Sequence, residues 1–121
     1  MATWVAASGM RIAEIRHSGK LRAQQTAEIF AEFLGVQAQA TPGLAPKDDV
    51  VGIAGEIESE EGDIMLVGHL PFLEQLAALL IVGNADSSVV TLDAGALLEL
   101  TAVDDAWNVT CLMQPRTLPS T

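Results

Sequence analysis

Two short stretches of this sequence place phosphate-holding side chains where a strand gives way to a helix. The first is Ser18-Gly19-Lys20-Leu21-Arg22-Ala23-Gln24-Gln25-Thr26-Ala27, and the second is Val67-Gly68-His69-Leu70-Pro71. At such a junction the first N–H groups of the helix have no intrahelical partner, and the helix dipole favours an anion. An arginine one turn into the helix adds a planar fork that grips two phosphate oxygens together. A histidine directly after Gly68 stands where backbone can approach a ligand closely. The two junctions together predict one shared phosphoryl site built on Arg22 and His69.

Each residue also has a plainer reading. A helical arginine is most often a surface residue, and a lone histidine at a strand end is most often structural. The setting of His69, between a glycine and a Leu-Pro that opens a helix, raises the functional reading to parity. Arg16-His17-Ser18 invites a third idea, in which His17 attacks phosphorus. In-line attack needs an imidazole nitrogen aimed at phosphorus and cations around its equatorial oxygens. His17 starts the same loop that ends at Arg22, which leaves little room for a substrate between them. His17 is not taken as the nucleophile.

The elements that must position these residues follow from periodicity. Thr3 to Ser8 reads as the tail of a helix stopped by Gly9, and Arg11 to His17 as a short strand. Lys20 to Leu34 carries an apolar helical face through Leu21, Ala27, Ile29, Phe30 and Phe33, and Gly35 ends it. Val36 to Ala40 is a strand, and Asp48 or Asp49 caps a helix that runs to about Ser59. Ile64 to Val67 is a continuous apolar run, as in a parallel strand covered on both faces. Pro71 opens a helix reaching Val82. Val89 to Leu92, Ala96 to Ala102 and Trp107 to Met113 are read as strands, the last two joined as a hairpin across Val103-Asp104-Asp105-Ala106. This alternation predicts a three-layer α/β sandwich with a mainly parallel sheet and an antiparallel C-terminal edge.

Composition narrows the classes. The 121 residues suffice for one domain, expected over 1–115 with 116–121 as a flexible tail, and half of them are hydrophobic. The longest apolar stretch, Leu76 to Val82, is too short to cross a bilayer. The start of the chain has no basic run typical of a secretory signal. One cysteine, Cys111, supports neither a disulfide framework nor a zinc site. A cytoplasmic location, no cofactor and no metal are the expectations. The net charge of −10 with six Lys and Arg argues against nucleic acid. Arg11, Arg16, Lys20 and Arg22 cluster all the same, either as a solvated face or as a local positive pocket for a phosphorylated ligand.

Ser18, Arg22, Ala23, Gln25, Thr26 and Ala27 together resemble the second-strand motif of the histidine phosphatase superfamily. Val67-Gly68-His69 resembles its second histidine motif. The short connection between them and the closing strands are similar to the SixA-type phosphohistidine phosphatases, over essentially all of residues 1–115. The resemblance implies a phosphoglycerate mutase-like fold. It implies that Arg22 and His69 bind phosphate and serve catalysis, and that Ser18 lines the pocket floor. It implies a substrate as well, phosphohistidine in a phosphorylated protein, or else a small phosphate ligand.

In that family an Arg-His-Gly triplet supplies the nucleophile, and no such triplet occurs in this sequence. Met1 to Gly9 aligns with the end of the family's first helix, so the expectation is a domain truncated at its N-terminus with impaired catalysis. The rivals are a non-catalytic phosphate- or phosphoprotein-binding module and an interaction domain completed by another chain. On the family's strand order as read here, the absent strand leaves a gap between the strand at Ile12–Arg16 and that at Ile64–Val67. Self-association through the open sheet is then expected.

Overall fold

A computed structural model describes residues 12–60, 62–93 and 96–113. Eight elements follow one another: β1 (Glu14–His17), α1 (Leu21–Leu34), β2 (Ala38–Ala40), α2 (Val50–Glu58), β3 (Ile64–Val67), α3 (Phe72–Val82), β4 (Leu97–Val103) and β5 (Ala106–Met113). β1, β2 and β3 form a parallel sheet in the order β2-β1-β3, and β4 and β5 form an antiparallel hairpin.

The helix ends are written locally. Gly35 and Gly83 stop α1 and α3 in the left-handed conformation, at φ 67° and 75°. Asp49 caps α2 by accepting the Val51 N–H at 3.0 Å. Period-two alternation then sorts the strand side chains between the two faces of the sheet. Ile15 and Met65 pack with Ala27 and Phe30 of α1 on one face. On the other face Leu66 packs against a cluster of Leu44, Val50, Ile53, Phe72 and Leu76, contributed mainly by α2 and α3. Ile15, Leu44 and Phe72 are fully buried, and each such side chain stabilises the fold by about 1.5–3 kcal/mol. The layers are helix, sheet, helices.

Three expectations change. The gap foreseen between the first strand and Ile64–Val67 does not exist: β1 and β3 pair directly from Glu14↔Ile64 to His17↔Val67. Ladder bonds satisfy the facing edges of both strands, so neither is left open there. Val89 to Leu92 is not a strand. The Leu92 N–H donates instead to the Glu74 carboxylate at 2.7 Å, and its side chain is buried. β-Branched residues favour a strand only where a neighbouring edge can pair with them. The strands read over Arg11–His17 and Val36–Ala40 shorten to Glu14–His17 and Ala38–Ala40. The readings on Thr3–Ser8, Gly9, Arg11 and the tail beyond Met113 lie outside the described residues.

Candidate functional site

The in-register pairing of β1 and β3 brings the two candidate junctions together. His17 is opposite Val67, so the next residues, Ser18 on one strand and Gly68-His69 on the other, leave the sheet side by side at its C-terminal edge. Open α/β sheets bind ligands at that edge. Ser18 Oγ and His69 Nε2 lie 2.6 Å apart, a hydrogen bond between residues 51 positions apart in the chain. Each residue heads a helix. The Lys20 N–H reaches Ser18 Oγ at 3.4 Å, and α1 starts at Leu21. The His69 carbonyl accepts the Leu73 N–H at 3.0 Å, at the head of α3. Gly68 passes against Leu73 and the Leu44 carbonyl, with room for a Cβ only in ordinary contact.

Arg22 stands exposed in the first turn of α1, with no ion pair among the described residues. Its guanidinium is therefore free for a ligand on the same loop-to-helix junction that holds Ser18. Arg16, its partner in the expected positive cluster, is differently placed. It bonds Glu14 Oε1 through Nε at 3.2 Å and through Nη2 at 2.5 Å, and it also pairs with Glu60. Those carboxylates, Glu14 foremost, hold the guanidinium above its already high range. The cluster is thus corrected: Arg16 is neutralised by carboxylates, Arg11 lies outside the described residues, and Lys20 and Arg22 remain exposed.

His17 is 5% exposed, and its Nδ1 accepts the Gly19 N–H at 3.1 Å. That bond fixes the turn between β1 and α1, where Gly19 takes a φ of 85° open to glycine at little cost. His17 therefore shapes the loop that presents Ser18. Sequence reasoning missed this positioning role, for which only Gly19, a residue at home in turns, gave a signal. It also missed Glu60, for which no local signal exists because Arg16 is 44 residues away. Among the described residues no group of His, Cys, Asp and Glu side chains could hold a metal ion. No helix among them is long and apolar enough to cross a membrane.

The architecture matches that of solved phosphohistidine phosphatases. A structure of the protein histidine phosphatase SixA complexed with tungstate superposes with a TM-score of 0.85 at 23% identity, covering 98% of this chain and 78% of that one. A protein assigned as the phosphohistidine phosphatase SixA of Agrobacterium tumefaciens superposes with a TM-score of 0.76 at 20% identity, over 94% of this chain and 75% of that one. The fold is that of the histidine phosphatases. By sequence, no protein-family model and no curated protein matches the chain.

Proposed function

We propose that this protein is a phosphohistidine phosphatase-like domain whose site, made by Ser18, Arg22 and His69, takes the phosphoryl group of phosphohistidine in a protein. The observation that carries this reading is the 2.6 Å contact of Ser18 with His69 at the C-terminal edge of two paired parallel strands. Its support is a fold shared with a SixA structure that was solved with tungstate, a tetrahedral oxyanion. In this reading an oxyanion inserts between the Ser18 hydroxyl and the His69 imidazole and takes a hydrogen bond from each. Arg22 closes on it with two parallel N–H bonds, and the free N–H groups at the head of α1 complete the cradle. Such donors stabilise the charge that builds on phosphoryl oxygens during transfer.

Transfer itself needs a nucleophile in line with the leaving nitrogen. The sequence holds no Arg-His-Gly triplet, and His17 is buried with its Nδ1 occupied. This chain by itself therefore binds the phosphoryl group and turns it over poorly or not at all. The test pairs tungstate titration with a turnover assay on a phosphohistidine peptide. Saturable tungstate binding, lost in His69→Ala, without a burst of phosphoenzyme is the expected result. Rapid turnover that vanishes in His17→Ala would overturn the assignment of roles.

A further inference from the structure

We infer that Ser18 and His69 also form a nucleophile–base dyad, which takes the acyl group of a short, uncharged carboxylic ester onto Ser18. Ser18 Oγ and His69 Nε2 lie 2.6 Å apart, the reach that a serine nucleophile and its general base require. In the imidazole tautomer with its proton on Nδ1, Nε2 accepts the Ser18 hydroxyl proton. The Lys20 N–H donates to the same oxygen at 3.4 Å, which leaves that proton for His69. Both side chains are half-buried, so a reagent reaches them. Ser18 stands on the turn from β1 into α1, and a strand-to-helix turn holds a nucleophile clear of the sheet. Just beyond it the Lys20 carbonyl takes the Gln24 N–H. The N–H groups of Leu21 and Arg22, at the head of α1, therefore have no partner within the helix.

These parts suffice for acyl transfer. Ser18 Oγ attacks the carbonyl carbon, its proton passes to His69 Nε2, and the carbonyl electron pair moves onto oxygen. The N–H groups at the head of α1 and the Arg22 guanidinium stabilise that oxyanion. The carbonyl then re-forms as the bond to the alcohol oxygen breaks, and the alcohol leaves with the proton from His69. Water, deprotonated by the same imidazole, releases the acyl group from Ser18 as a carboxylic acid. A phosphate dianion, by contrast, enters between the two side chains and parts them, whereas an uncharged carbonyl leaves the pair intact. The rim suits an acyl chain. Leu21 and Leu70 are 69% and 37% exposed. Leu70 directly follows His69, and Leu21 lies three residues after Ser18, at most about 11 Å along the chain. The dyad is a second use of these side chains, read by a different chemistry from the oxyanion site.

The test incubates the full chain with p-nitrophenyl acetate or p-nitrophenyl butyrate and locates the acyl group by peptide mass spectrometry. The expected result is one hydroxylamine-labile acyl ester on Ser18, with a matching burst of nitrophenolate. Ser18→Ala should abolish that burst, and His69→Gln should slow it about 100-fold or more, the share of a general base. The butyrate should react at least about threefold faster than the acetate, since each buried CH₂ favours binding, and Leu21→Ser should reduce that preference. A control on the unmodified chain keeps the test independent of any variant that fails to fold. In urea, acylation of Ser18 must stop while acylation of Lys20 continues. Acyl groups on Lys20 alone, a burst unchanged in Ser18→Ala or His69→Gln, or Ser18 acylation that persists in urea would overturn the dyad. Equal rates for the two esters would overturn the apolar acyl seat. Tungstate binding without Ser18 acylation would sink the dyad alone. Ser18 acylation in protein that binds no tungstate would sink the oxyanion reading alone.

Discussion

At the residue scale the account turns on which polar side chains face one another and which are already engaged. Ser18 and His69 touch, Arg22 has no carboxylate partner among the described residues, and Arg16 has two. Arg22→Ala should weaken tungstate binding about 10- to 100-fold, the loss expected for about 1.5–3 kcal/mol of charge-assisted hydrogen bonding. Titration calorimetry reads this directly, and an unchanged affinity would remove Arg22 from the site. Arg16→Met should do the reverse. It should lower stability to urea by about 1 kcal/mol through loss of the Glu14 and Glu60 pairs and leave tungstate affinity as it was. Arg22 and His69 are candidates from the sequence because each stands in a short motif at a strand–helix junction, and the contact of Ser18 with His69 joins those two junctions. The engagement of Arg16 was not legible there, because Glu60 reaches it only through the tertiary fold.

At the element scale local signals and tertiary pairing divide the explanation. Gly35, Asp49 and Pro71 mark helix ends that the structure reproduces, since capping depends on neighbours in sequence. Val89 to Leu92 misled because its β-branched residues fit a strand, yet Glu74 satisfies the Leu92 N–H in place of a ladder. The β4–β5 hairpin was legible from the polar break at Asp104-Asp105. Both residues there adopt left-handed backbone, φ 52° and 64°, as a two-residue type I′ turn demands. An L-residue pays for that conformation, so Asp105→Gly should stabilise the protein by up to about 1 kcal/mol, net of the added freedom of glycine when unfolded. Thermal melts should show a rise of a few degrees at most. A fall would mean that the Asp105 side chain makes a contact worth more than the strain.

At the scale of the whole molecule, an acidic chain of net charge −10 exposes Lys20 and Arg22 together at the head of α1, the cationic corner that the proposed function assigns to a phosphorylated ligand. A polyanion meets repulsion over most of the remaining surface. A DNA duplex should therefore not be retarded by the protein in a gel at physiological salt, whereas a basic groove would retard it. The layered α/β plan was legible because the apolar run Ile64–Val67 between two helices specifies a covered parallel strand. The position of the open sheet edge was not, because sequence alone does not say which strands become neighbours. Among the described residues the parallel sheet runs β2-β1-β3, with β1 in the centre.

The most direct test of the central claim is a crystal structure of the full chain grown with tungstate, whose heavy atom is unmistakable in density. The account predicts tungstate at the C-terminal edge of β1 and β3, within hydrogen-bond distance of Ser18 Oγ, His69 Nε2 and the Arg22 guanidinium. Tungstate bound elsewhere, or an Arg22 and a His69 that point into separate regions of solvent around an empty junction, would contradict it.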